Sequence, residues 1–313
     1  MQTMAGLSGT IKGAMRQVAF TSGISSNLAR RQNCQRILML HGVSSKDVGA
    51  FSKTLQLLNQ AFEIVHLARV IAGIRGEHPV TGREIALTFD DGLSNHFQFV
   101  YPVLQNLRAK ATFFVCPGLM DSGKWLWNQE ARARLHSLRI QQRHEVGQAL
   151  GIGTDDVEQV IVWMKTLPTR ERSVAENVIR DASHRFEPSQ EQHEAYDPMS
   201  WNQAQALESD LVTVGSHTMS HPILTSLADD ERRWEVKRSR EVLAEKLSRS
   251  VDYFCYPNGS SNEQVVELVR QNYSAAVTVE SASVTAGSLH QLPRVPATTD
   301  VSLLFWRLHR PTA

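Results

Sequence analysis

Seven short apolar runs punctuate the chain, at Ile37–Leu40, Phe62–Leu67, Ile85–Phe89, Ala111–Val115, Leu211–Val214, Val251–Cys255 and Ala275–Val279. They are apolar continuously and not alternately, the mark of strands covered on both faces, as in parallel sheets. Helical patterns separate them, at Phe51–Gln60, Phe97–Lys110, Asp229–Leu247 and Asn262–Gln271. Parallel neighbours need a crossover, so the alternation reads as βαβ units, and about seven of them predict an α/β barrel, complete or nearly so.

Composition agrees. A chain of 313 residues, 42% apolar and 21% charged, can bury a core of barrel size. We expect residues 34–313 to form this domain, with a helical insertion at about 119–201. That stretch holds no convincing strand and instead carries charged helix-forming segments at Gln129–Leu138, Asp155–Lys165 and Thr169–Arg185, the pattern of a lid or substrate platform. Residues 1–33 read as a leader. Leu7, Ile11, Met15 and Val18 recur at helical spacing beside Lys12 and Arg16, which suits either a helix on a membrane surface or one packed on the core. No run reaches a membrane span, and no apolar stretch with a cleavage site suggests export, so the expected compartment is the cytoplasm. A net charge of +1 asks for no nucleic acid. Cys34, Cys116 and Cys255 are odd in number and widely spaced, which argues against a disulfide framework, and the last two end apolar runs as buried thiols do.

Chemistry gathers where apolar runs end. Thr88-Phe89-Asp90-Asp91-Gly92 sets two adjacent acids at a strand end, where side chains diverge, so one can ligate a cation while the other faces a substrate. Asp-Gly is also a common turn dipeptide. Gly215-Ser216-His217-Thr218-Met219-Ser220-His221-Pro222 places two histidines at i and i+4, a metal-ligand spacing that a pair of surface histidines would share. Barrel active sites form at the C-terminal strand ends, and two histidines with one carboxylate leave coordination positions open. Phe254-Cys255-Tyr256-Pro257-Asn258-Gly259 follows the same plan, a strand ending in a turn that can offer a backbone N–H to an oxyanion. Arg294, in Leu292-Pro293-Arg294-Val295-Pro296, reads as a structural arginine or as one that orients a carboxylate.

In this order, the Thr88–Gly92 motif, His217 to Pro222, the Phe254–Gly259 turn and Pro293-Arg294 resemble the polysaccharide deacetylase family, carbohydrate esterase family four with its NodB homology domain. The resemblance spans roughly Gln35 to Val295. It implies a deformed (β/α)7 barrel with a helical insertion, and a hydrolase that removes acetyl groups from N-acetylated glycans. It assigns Asp90 as general base and Asp91, His217 and His221 as ligands of one divalent metal, zinc first, with cobalt or nickel able to substitute. The chain departs from the family twice. An arginine usually precedes the third motif's turn, where this chain has Cys255, so Arg294 is expected to orient Asp90 instead. The family's C-terminal Leu-x-His element has only Leu289-His290 and Leu308-His309 as remnants, whereas Ile37–Gly42 looks like that element moved to the front, a circular rearrangement found among members acting on exopolysaccharides. His41 is then the expected general acid and the Tyr256 N–H the expected oxyanion donor. Trp125, Trp127 and Asn258 are the candidate substrate contacts. Rival readings are a ureide-type small-molecule amidase on the same fold and a non-catalytic glycan-binding relative. The second has no use for an intact set of base and ligands.

Overall fold

The computed structural model describes residues 3–284 and 288–311, with side chains from Lys12 onward. It opens on two helices, α1 (Thr3–Thr21) and α2 (Ile24–Arg31), before the first strand, β1 (Arg36–Leu40). Then come α3 (Val48–Ala61), β2 (Glu63–Val65), α4 (Leu67–Ile74), β3 (Glu84–Phe89), α5 (Tyr101–Leu107), β4 (Ala111–Val115) and α6 (Pro117–Ser122). The region expected to lack strands is helical: α7 (Trp127–Ser137), α8 (Ile140–Ala149), α9 (Val157–Met164), α10 (Thr169–Ala182) and α11 (Gln190–Tyr196). The chain ends with α12 (Trp201–Gln205), β5 (Val212–Ser216), α13 (Asp229–Leu247), β6 (Tyr253–Cys255), α14 (Glu263–Asn272), β7 (Ala275–Val277), β8 (Val295–Pro296) and α15 (Val301–Arg307). Among the described residues no helix is long and apolar enough to cross a membrane.

All strand pairs are parallel, in the order β7-β6-β5-β4-β3-β1-β8. The ends of this order meet. Leu292, just before β8, pairs with Val277 of β7, while Val295 and Pro296 pair with Leu38 and Met39 of β1. The expected deformed barrel is thus present, but its seven ring strands are not the seven apolar runs. The run Phe62–Leu67 supplies only the three-residue β2, which pairs with β3 outside the ring, and β8 takes the vacant place. β8 is two residues long and interrupted by prolines, too short for a period to register.

The two faces of the sheet bury different clusters. Leu38, Leu87, Phe89, Phe113 and Val214 pack with outer-helix residues such as Leu55, Leu104, Leu243 and Val269. Ile37, Ala86, Phe114, Cys255 and Val277 turn the other way and meet Val70 and Ile71 of α4. This double burial is why the strands read as unbroken apolar runs. The insertion has a core of its own, in which Trp127, Leu135, Val146, Ile161, Met164 and Ile179 converge. Helix α8 had left no sign in the sequence, since its buried residues are only Val146 and Gly147. Helix α13 runs over the same residues as its sequence pattern, with Asp229, Asp230 and Glu231 in the first turn where the helix dipole favours acids.

Candidate active site

Because every ring strand runs the same way, the residues following β1, β3, β5 and β6 share one rim. The register sets Leu40 of β1 beside Phe89 of β3, so His41 and Asp90 leave the sheet as neighbours. The chain then turns sharply. Asp91 has φ 79° and Gly92 φ 65°, and a Cβ on Gly92 would lie 2.7 Å from that of Val115, so only glycine fits there. Six non-glycine residues of the described chain have positive φ; Asp91, Thr218, His221 and Asn258 are four of them. Strain of this kind concentrates at functional sites.

The two aspartates meet opposite surroundings. Asp90 receives a two-pronged ion pair from Arg294, Nη1 to Oδ1 and Nη2 to Oδ2, each 2.7 Å. Arg294 is wholly buried and also donates to Thr88 Oγ1 (3.0 Å), the Thr278 carbonyl (2.7 Å) and Cys255 Sγ (3.3 Å). Burial works to raise the Asp90 pKa, but the Arg294 charge and hydrogen bonds outweigh it and hold the carboxyl well below the carboxylate range. Arg294 thus lies beside Cys255 at the end of β6 and orients Asp90 from there. Asp91 has no cationic side chain paired with it, and burial pushes its pKa up despite His217 and His41 nearby.

Asp91 faces two imidazoles instead. Its Oδ1 lies 3.7 Å from His217 Nε2 and 3.6 Å from His221 Nε2. These separations exceed hydrogen-bond length yet suit three donors around one cation at about 2.0–2.2 Å from each. Their donor atoms all lie within 4.8 Å of one another. His217 Nδ1 sits 2.7 Å from the Cys255 carbonyl, so it carries the proton and leaves Nε2 a free lone pair. Burial, then the nearby His217, push the His221 pKa well down, so this ring is neutral as a ligand must be. A second cluster of donors, Asp90, His217 and Cys255, is a poorer cation site, because burial keeps the thiol protonated and Arg294 already holds Asp90.

Neighbouring elements fix this geometry, two of them through residues that carry no local mark in the sequence. Glu235, buried within α13, accepts from the Met219 N–H (2.8 Å), the Ser220 N–H (3.0 Å) and Ser220 Oγ (2.6 Å), clamping the loop between the two histidines. Gln129 of α7 reaches Asp91 Oδ2 at 3.5 Å. The far end of the insertion ties to the loop after β3, through Ser94 N–H to the Asp197 carbonyl and Met199 N–H to the Gly92 carbonyl, both 2.8 Å.

Two expectations are corrected. The Tyr256 N–H is not free for an oxyanion, because it donates to the Val277 carbonyl at 3.3 Å in the sheet; the side chain is buried, its hydroxyl on the His290 carbonyl at 2.8 Å. Trp127 is no sugar platform: it lies in the insertion core with Arg172 over its ring at 4.7 Å. Trp125 is half-buried among Phe186, His193 and Tyr196, its indole N–H on Asp197 at 2.7 Å, and stays a candidate for substrate contact. Asn258 keeps its place in the turn after β6, its buried Nδ2 without a partner. His290 and His309 take no part in the aspartate–histidine cluster; His290 Nε2 lies 2.9 Å from the Tyr273 carbonyl.

The polysaccharide deacetylase family model matches residues 77–150 and 171–276, more than half of the chain. The chain belongs to the polysaccharide deacetylase family. It is accordingly a hydrolase of the deacetylase kind. The break in the match, at 151–170, falls inside the insertion. Solved structures agree on the fold of this deacetylase. IcaB from Ammonifex degensii is 19% identical, covering 89% of this chain and 98% of its own, with a TM-score of 0.60. The Streptococcus pyogenes deacetylase PplD, solved in complex with acetate, is 18% identical over 85% of this chain and 93% of its own, at 0.58. The deacetylase domain of BpsB from Bordetella bronchiseptica is 16% identical over 84% and 96%, at 0.54. No curated protein matches the sequence.

Proposed function

We propose that the chain is a metal-dependent N-deacetylase acting on an N-acetylated polysaccharide or oligosaccharide, releasing acetate and leaving a free amine on the sugar. The observation that carries the reading is the division between the two carboxylates, Asp90 gripped by Arg294 and Asp91 turned to the imidazoles of His217 and His221. Asp91, His217 and His221 would hold one divalent cation, zinc by preference, with cobalt or nickel able to replace it. When bound, the cation supplies Lewis-acid polarisation of the acetamide carbonyl and of the attacking water. Asp90, ionised and fixed in direction, takes a proton from that water as it attacks. His41, exposed on the neighbouring strand end, delivers a proton to the nitrogen as the carbon–nitrogen bond breaks. Water adds and one amide bond is lost, so no covalent enzyme intermediate is required. β1 stands between β3 and β8 in the ring, the place open to a strand moved from the C-terminus to the front.

Acetate release from N-acetylglucosamine oligomers and polymers, in the presence of each metal, tests the reading. Asp90→Asn should lose about 10²–10⁴-fold in rate while keeping its metal. Asp91→Asn should lose both. Equal metal loss in the two variants, or wild-type acetate release that a strong chelator leaves untouched, would overturn the assignment.

A further inference from the structure

The N-terminal helix pair presents an apolar face that the rest of the described fold leaves uncovered. One side of the pair is firmly seated. Phe20 of α1 packs on Phe305 of α15 with ring centroids 5.0 Å apart, and Ser25 and Ala29 of α2 are fully buried. The buried Arg36 guanidinium donates to the Ala29 carbonyl (2.9 Å), the Cys34 carbonyl (3.3 Å) and the Leu308 carbonyl, binding the ends of α2 and α15 to the base of β1. The other side is open. Met15 is 61% exposed, Val18 64%, Ile24 52% and Leu28 45%. These are four of the nine large apolar side chains that stand exposed among the described residues, and they fall within fourteen consecutive positions. Met15 and Val18 share one face of α1, and Ile24 and Leu28 one face of α2, by helical spacing. Apolar groups concentrated in this way mark a surface of interaction.

Charge decides the partner. Up to Asp47 the chain holds Lys12, Arg16, Arg30, Arg31, Arg36 and Lys46 and no acidic residue, although its net charge is only +1. Lys12 precedes Met15 by three residues, and Arg31 follows Leu28 by three, so cations border both apolar faces and both are exposed. Just beyond α15, on which α1 lies, the exposed Arg310 stands over the Trp306 ring, and Arg307 ends the helix with one arm on the Pro296 carbonyl, against the single carboxylate of Asp300 at its start. A second copy of the same face would bring these cations together, whereas an anionic phospholipid surface complements both the charge and the apolar side chains. We propose that α1 and α2 dock this protein on an anionic phospholipid surface, Met15, Val18, Ile24 and Leu28 entering the headgroup boundary and Lys12, Arg30 and Arg31 meeting lipid phosphates. The argument is independent of the reaction the rim performs.

Co-sedimentation of the full chain with vesicles of phosphatidylcholine, alone or mixed with phosphatidylglycerol, tests it. The wild type should partition to the phosphatidylglycerol vesicles about tenfold or more over phosphatidylcholine alone, and less at high salt. Paired Met15→Glu and Val18→Glu, and separately Lys12→Gln with Arg30→Gln and Arg31→Gln, should each weaken this about tenfold. Val162→Glu with Val174→Glu, equally exposed but on the insertion, should not. Circular dichroism and acetate release from a soluble substrate should stay at wild-type levels in all of them. Unchanged binding by the Met15, Val18 variant, absence of wild-type binding, or a dimer in light scattering that the same variant splits would overturn the proposal; the last would make the face a self-association surface.

Discussion

Asp90 and Asp91 are adjacent in the chain, but their carboxyls look into different electrostatic worlds. Arg294 holds Asp90 below its unfolded value, so this ion pair contributes stability that is present above about pH 4 and lost as pH falls through the lower folded value. Removing the partner reverses the sign, because a buried, unpaired Asp90 rises above its unfolded value and destabilises as pH rises. Arg294→Met should therefore cost about 3–5 kcal/mol in urea unfolding at neutral pH, with a gap to wild type that narrows towards pH 4. A gap independent of pH would assign the loss to packing alone. At His41 the expected effect is kinetic: His41→Ala should lower kcat on an acetamide by about 10²–10⁴-fold and on an acetyl ester with a good leaving group far less. Comparable losses on both substrates would remove it from proton transfer. The aspartates and both histidines were legible in the sequence because each stands beside an apolar strand end. The Arg294–Asp90 pair was expected only through the family resemblance, since 204 residues separate its members and nothing local links them.

Elements set the angles that residues need. The loop after β5 is left-handed at Thr218 and His221, and Glu235 on α13 satisfies the N–H groups between them. Deleting that carboxylate leaves two inward N–H groups unpaired and frees His221 to rotate. Glu235→Ala should weaken metal binding about 10–100-fold in chelator competition, as loss of a supporting group commonly does, and Glu235→Gln should recover part of it through its remaining oxygen. Unchanged affinity in the alanine variant would make the clamp incidental to the ligands. Glu235 was invisible beforehand because an acid on a helix carrying Glu231, Glu241 and Glu245 as well has no local mark of burial. The helical insertion was visible as composition, yet the burial of Trp127 was not. Exposure of a tryptophan is settled by what packs on it, and Arg172 and the α9–α10 core cover Trp127.

At the scale of the whole molecule, parallel closure draws donors from β3 and β5 to one rim, so a cation there binds the folded state alone. Saturating zinc, at about a hundredfold over its Kd, should add about 2.7 kcal/mol and raise the Tm by about 5 °C, while a His217→Ala, His221→Ala variant should show no shift. An equal shift in both would place the ion elsewhere. A parallel α/β barrel with candidate site residues at its strand ends was readable from the chain, because hydrophobic period, helix pattern and short motifs are local properties carried by neighbouring residues. Tertiary structure alone decided which strands close the ring. With β1 laid against β3, its other edge pairs with β8, and Leu292 just before β8 reaches Val277 of β7, whereas β2 pairs with β3 outside the ring. It also decided that the Tyr256 N–H joins the sheet and that Arg294 takes the place beside Cys255, since both depend on partners brought in by closure from distant parts of the chain.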